Sequence, residues 1–356
     1  MNKKIRILVV DDSAFMRKSL SLLLESDPMI QVIDTAVDGI EGVEKVKRLK
    51  PDIVTLDIEM PRMDGLTALK KIMSESPTPV IMVSSLTTEG AQETLKALEL
   101  GAVDFIPKGM SFVSVAIAGI KEDLIRKVKE IYSSKNVINR LTSLNSKFDA
   151  KSQTVKSAGT LAQLPKLNYK AFAIGISTGG PISLQKVIPY LSDKIKIPIF
   201  IVQHMPPKFT ASLAERLNAL SGLEVKEAQN DETVRNGVVY IAPGGFHLTL
   251  EKDPQGLVKI KTSQTPENVL HKPSVDVMLD SVQKIYGKFM LGIIMTGMGK
   301  DGLEGIKKLK NSGGYCIAQN EQTCVVYGMP RAIVDNGLAD VIAPLEEIPK
   351  ILNQAV

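Results

Sequence analysis

The chain has 356 residues, of which 44% are hydrophobic and 23% charged, the balance of an ordinary folded protein rather than a disordered or fibrous one. Lys plus Arg outnumber Asp plus Glu by 44 to 39, a net charge of +5. With no Trp and 4% aromatics there is little to stack on bases, and no nucleic-acid partner is expected. At roughly 100–200 residues per domain, the length favours two domains.

The N-terminus, MNKKIRILVVDDS, holds an apolar run of only about five residues, too short for a secretory core. No stretch approaches the ~20 apolar residues of a membrane span. A cytoplasmic location without membrane insertion is the expectation. Cys316 and Cys324 are too few for a disulfide scaffold or a four-ligand zinc site, and read as buried, small apolar side chains.

Ile5 to Val10 is a run of strand type, and Met16, Leu20, Leu23 and Leu24 then recur on one helical face. Strand-like runs return at 30–37, 52–57, 79–85 and 103–106, with helical patterns between them. This alternation over residues 1–132 implies a parallel sheet covered on both faces, with its ligand site beyond the carboxyl ends of the strands. Asp11 and Asp12 end the first strand and Asp57 the third, so three carboxylates are expected in one pocket. Taken alone, either of the first two reads equally well as a helix cap. Such crowding calls for a cation, and all-oxygen ligands suit Mg²⁺. Ser84 ends the fourth strand and Lys108 follows the fifth, adding a hydroxyl and an ammonium to the same edge. Together they make a phosphoryl-acceptor site.

On these residues the first part resembles the receiver domain of bacterial response regulators, a flavodoxin-like (βα)5 fold. The resemblance implies that Asp57 is phosphorylated by a histidine kinase. It also implies that Asp11, Asp12, Asp57 and the backbone carbonyl of Glu59 hold Mg²⁺. Ser84 and Lys108 would contact the phosphoryl group, and Phe105 takes the aromatic switch position. Pro107-Lys108-Gly109 departs from the Lys-Pro order common in receivers.

Residues 133–168 are rich in Ser, Lys, Asn and Gln, with aperiodic apolar residues, and read as a linker that a random coil would stretch over roughly 30 Å. Alternation resumes over 169–356. Strands are expected at 171–176, 198–203, 238–242, 246–250, 257–262, 289–296 and 314–318, and helices at 181–191, 210–220, 273–286, 302–311 and 328–336. The pair flanking Asp253-Pro254-Gln255-Gly256 reads as a β-hairpin added to a mostly parallel sheet in a wound α/β domain.

Gly175-Ile176-Ser177-Thr178-Gly179-Gly180-Pro181 joins a strand to a helix, the pattern of a nucleophile elbow that lifts a serine hydroxyl clear. The same turn equally suits a phosphate cradle in which Ser177 caps the helix. Of the three histidines, His204 ends a strand and so shares the sheet edge with Ser177; His247 begins a strand and His271 lies in a loop. Asp301, in the glycine-rich loop after the strand ending near Met295, fits the carboxylate that orients the imidazole. The chain order Ser, His, Asp differs from that of α/β-hydrolases.

The stretches GISTGGP, QHMPPKFT and TGMGKDG, with APGGFHL and HKPSVDV, resemble the catalytic domain of the chemotaxis protein-glutamate methylesterases, the CheB family. That resemblance implies a phosphorylation-activated hydrolase that removes methyl esters from chemoreceptor glutamates and deamidates receptor glutamines. Ser177 would be nucleophile, His204 base and Asp301 the orienting carboxylate, with oxyanion donors near Thr178 and Met298. It implies no cofactor for the ester chemistry, methylated chemoreceptors as substrate, and recruitment to receptor arrays. The rival reading is a phosphorylation-controlled binding protein without turnover. A DNA-binding regulator is disfavoured because residues 169–356 show no compact basic recognition helix.

Overall fold

A computed structural model describes residues 3–108, 116–134, 137–146, 164–165 and 167–356. The chain divides into two units, Met1–Lys151 and Ser152–Val356.

In the first unit the order is β1 (Ile5–Val10), α1 (Ala14–Glu25), β2 (Ile30–Ala36), α2 (Gly39–Leu49), β3 (Ile53–Asp57), α3 (Gly65–Glu75), β4 (Val80–Ser84), α4 (Thr88–Glu99), β5 (Asp104–Pro107), α5 (Ala116–Ser133) and α6 (Val137–Ser146). The sheet runs β2-β1-β3-β4-β5 and every pairing is parallel. Strands buried on both faces need continuous apolar runs, and β3 and β4 are buried at every position. Side-chain caps stop the helices from invading the strand ends. Ser13, Asp38, Asp64 and Thr87 each accept a backbone N–H at the start of α1, α2, α3 and α4. Helix α6 lies inside the stretch read as linker. Its Val137 and Leu141, one turn apart, are both buried, whereas most of the remaining linker, 147–163, lies outside the described residues.

The second unit follows as β6 (Ala171–Ile176), α7 (Gly180–Val187), β7 (Ile199–Gln203), α8 (Phe209–Leu220), β8 (Glu224–Glu227), β9 (Val238–Ile241), β10 (His247–Lys252), β11 (Val258–Ser263), α9 (Val275–Tyr286), β12 (Met290–Ile294), α10 (Leu303–Asn311), β13 (Tyr315–Gln319), α11 (Met329–Asp335), β14 (Val341–Ala343) and α12 (Ile348–Gln354). Seven strands form one all-parallel sheet in the order β14-β13-β12-β6-β7-β9-β8.

The hairpin departs from expectation. β10 and β11 form an antiparallel sheet of their own, not an addition to the main one. Its apolar residues Leu248, Leu250 and Ile260 pack into the same core as Phe200, Tyr240 and Met278, and the β11 backbone is tied to residues 231–234 by hydrogen bonds such as Val234 N to Val258 O at 2.9 Å. Strands β8 and β14 and helix α12 are absent from the sequence reading. Both strands are short and lie at the edges of the sheet. The two cysteines are buried, and burial pushes the Cys316 thiol pKa up.

The order of the main sheet places the site. From β6 the chain winds one way to β7 and its neighbours, and then the other way through β12, β13 and β14. The carboxyl ends of β6, β7 and β12 therefore flank a topological switch point, where crossover connections diverge and leave a crevice.

Candidate active and phosphoryl-acceptor sites

In the first unit, carboxylate oxygens of Asp11, Asp12 and Asp57 lie within 4.8 Å of one another. Asp11 and Asp57 are buried and Asp12 is exposed. Lys108 delivers Nζ to Asp57 Oδ2 at 2.6 Å and to Asp11 Oδ2 at 3.7 Å, so the Pro-Lys order still supplies the ammonium. Burial pushes the Asp57 pKa up to about 6; the bond from Lys108 opposes this and the charge of Asp11 adds to it. Asp11 is raised as well, chiefly by burial. Its Oδ2 is buried and has no hydrogen bond among the described residues. An anionic oxygen left in that state fits a hard cation better than a purely structural role.

The other expected residues lie on or just after strands β3, β4 and β5. The Glu59 N–H donates to Asp57 Oδ1 at 3.4 Å. The Ser84 hydroxyl donates to the Gly90 carbonyl at 3.1 Å, so it is engaged by α4 and not by the carboxylates. Phe105 is buried, and Lys127 of α5 donates to its carbonyl at 2.6 Å while lying 5.4 Å from its ring centroid.

In the second unit, Ser177 follows β6 and is buried to 9% exposure. Its N–H donates to Thr296 O at 3.0 Å, and its carbonyl accepts from Gly180 N at 2.8 Å. Gly179 makes this turn with φ +76°, a conformation strained for residues with a side chain. His204 lies alongside. Its N–H donates to Ile176 O at 3.2 Å, and the Gln203 amide donates to both the Ser177 and His204 carbonyls, at 3.0 and 3.3 Å.

Asp301 meets His204 from the β12 side, with His204 Nε2 2.8 Å from its Oδ2. The same carboxylate accepts from Val275 N at 2.7 Å, Asp276 N at 2.9 Å and Ser274 Oγ at 3.1 Å. It thus sits on the N-terminus of α9, where free N–H groups and the helix dipole favour an anion. Burial alone would raise its pKa. The His204 bond and charge, with the Asp276 and Val275 N–H groups, instead hold it well below the usual carboxylate range. Nε2 is therefore the donor to Asp301, leaving Nδ1 as the imidazole's basic nitrogen. Nδ1 is buried and finds no hydrogen-bond partner among the described residues.

Thr178 follows Ser177 in the turn, and the 297–298 backbone passes close to the serine. A Cβ built on Gly297 would stand 2.7 Å from Ser177 Cβ, so only glycine lets the 297–298 backbone pass this closely. The Met298 N–H has no acceptor among the described residues. Thr296 Oγ1 donates to Thr178 O at 2.9 Å and accepts from Val326 N at 3.1 Å, tying the elbow to the neighbouring loop.

The structure also brings in residues that strand-end logic passed over. His271 stacks on His204, with centroids 4.2 Å apart and planes at 26°. His247 is fully buried. It accepts from Ser274 N at Nδ1 and pairs with Pro266 O at Nε2, both at 3.2 Å, and burial lowers its pKa. Asp276 accepts from Gly305 N at 2.7 Å, and burial, with the Asp301 charge adding, pushes its pKa up to about 6. The stretch HKPSVDV carried this signal, since it holds His271, Ser274 and Asp276 together across the start of a helix.

Comparison with known proteins covers both units. Residues 172–352 match the family described as CheB methylesterase, and residues 7–116 match the response regulator receiver domain. A protein-glutamate methylesterase/protein-glutamine glutaminase of Lawsonia intracellularis is 48% identical over 99% of both chains. One of Pyrococcus abyssi is 44% identical over 99% of this chain and 94% of its own. The solved catalytic domain of Thermotoga maritima CheB methylesterase is 45% identical, covering 53% of this chain and 100% of that one, with a TM-score of 0.51.

Proposed function

This chain belongs to the CheB methylesterase family, with a response-regulator receiver ahead of the catalytic domain, and we propose that Ser177, His204 and Asp301 carry its chemistry. The protein is a phosphorylation-regulated protein-glutamate methylesterase and protein-glutamine glutaminase of chemotaxis, acting on chemoreceptors. The rival reading as a binding protein without turnover falls with that assignment. The observation that carries the residue assignment is the 2.8 Å contact of His204 Nε2 with a carboxylate already fixed by the N-terminus of α9.

In this reading Ser177 Oγ attacks the δ-carbonyl of the glutamyl ester and gives its proton to His204 Nδ1. Asp301 stabilises the imidazolium so formed. The oxyanion is held by backbone N–H groups, Met298 foremost, and its collapse expels methanol with the proton returned from Nδ1. Water then attacks the acyl-enzyme by the same route, leaving a glutamate carboxylate and free Ser177. Ammonia replaces methanol when the substrate is glutamine.

In the receiver, Asp57 would accept the phosphoryl group from a chemotaxis histidine kinase, and Lys108 would neutralise it. Asp11, Asp12, Asp57 and the Glu59 carbonyl would hold Mg²⁺, which when bound screens carboxylates and phosphoryl oxygens from one another. No helix among the described residues is long and apolar enough to cross a membrane. We infer from the family likeness, not from that absence, a cytoplasmic enzyme recruited to receptor arrays.

The direct test is Ser177→Ala. We expect methanol release to fall by several orders of magnitude while the melting temperature stays near wild type. Turnover within tenfold of wild type would remove Ser177 from the mechanism.

A further inference from the structure

The geometry points to His271 as a positioning residue that fixes the plane of the His204 ring, a role that rests on the triad reading above. One hydrogen bond fixes a point on an imidazole, not its orientation. The ring can tilt about Nε2, and Nδ1, the nitrogen that must meet Ser177, swings with it. No second hydrogen bond arrests that swing, because buried Nδ1 has no partner among the described residues. The His271 ring, stacked at 4.2 Å and 26°, closes off one face. A tilt of about 30° around Nε2 would carry Nδ1, about 2.2 Å away across the ring, by roughly 1 Å, a displacement worth up to about 100-fold in rate.

His271 is itself held in place. The neighbouring Lys272 carbonyl accepts from Gly245 N at 3.1 Å. Ser274 N and Pro266 O grip the two ring nitrogens of buried His247, each at 3.2 Å. The segment 266–274 is thus tied at both ends to one buried side chain at the start of β10. Ser274 in turn donates to Asp301 at 3.1 Å. A single segment therefore sets both the carboxylate that His204 pairs with and the ring that limits its tilt. Stacking also suits the reaction, since an aromatic face tolerates the imidazolium formed when Nδ1 takes the serine proton.

The test uses the full chain with His271→Leu, His271→Gln and His271→Phe. Methanol release from methylated receptor membranes is measured with the rate of serine labelling by a fluorophosphonate. The two non-aromatic variants should lose about 10- to 100-fold in kcat with little change in KM or melting temperature, and label more slowly by a similar factor. His271→Phe should restore both rates to within about fivefold of wild type. Leu or Gln variants within threefold of wild type would overturn the proposal. So would a Phe variant as slow as they are, or a loss confined to KM. Ser177→Ala run alongside separates the two readings, because activity surviving there removes the triad itself.

Discussion

Replacing Asp301 by Asn tests the link between the α9 N-terminus and catalysis. The change keeps the shape and removes the charge opposite the His204 imidazolium. At the observed 2.8 Å and an effective dielectric of about 20, that pair interacts by about 6 kcal/mol. At 1.36 kcal/mol per tenfold in rate, full loss corresponds to about four orders of magnitude in kcat. The amide can recover part of this. Its oxygen can face His204 if its NH₂ turns toward Ser274 Oγ, whose hydroxyl can switch from donor to acceptor. The Asp276 N–H, now at 2.9 Å from the Oδ1 position, would then face a donor. An expected loss of about 10³–10⁴ in kcat should therefore accompany about 1–3 kcal/mol of destabilisation from that stranded N–H. Methanol release and a thermal melt on the same preparation read both effects. A variant within tenfold of wild-type kcat would refute the pairing as the source of imidazolium stabilisation. One that is inactive but fully as stable would refute a stabilising role for the Val275 and Asp276 N–H bonds to this carboxylate.

Asp57→Asn should abolish the rise in esterase activity produced by a small phosphodonor or a partner kinase while leaving basal activity intact; equal stimulation of both proteins would reject Asp57 as the acceptor. His247→Gln should destabilise the second unit by about 1–3 kcal/mol at neutral pH by disturbing the bridge between Ser274 and Pro266. The native imidazole has a pKa below its ordinary 6.5, so the unfolded chain binds the extra proton first as pH falls. The stability advantage of wild type over the variant should accordingly be full above pH 6.5 and shrink as pH falls through and below it; an advantage that grows on acidification would reverse the assignment of a neutral, buried His247.

The sequence by itself determined the interior strands of both sheets and the residues at their ends. A parallel strand covered on both faces must be apolar throughout, so β1, β3, β4, β6, β7 and β12 announce themselves, and whatever polar residue ends such a run is delivered to the ligand edge. That reasoning set Asp11, Asp57, Ser177 and His204 at the sheet edges and Asp301 on the same edge as His204, and the structure places the two 2.8 Å apart. It failed where burial comes from partners distant in sequence. The alternation of β10 and β11 reported a half-buried hairpin but not which surface would cover it, and the tertiary structure lodges its side chains in the core without joining the sheet. Edge strand β8, with only Val225 buried, has too little apolar pattern to stand out. In α6 the spacing of Val137 and Leu141 was present but diluted by polar neighbours. The division of labour among the histidines shows the same limit. A loop residue and a strand-initial residue carry no periodic signal, and only the meeting of the loops after β7, before β10 and before α9 made His247 a buried strut and His271 the face against which His204 stacks. Local pattern decides which side of an element is dry, whereas the orientation of a ring depends on long-range packing that no window of sequence contains.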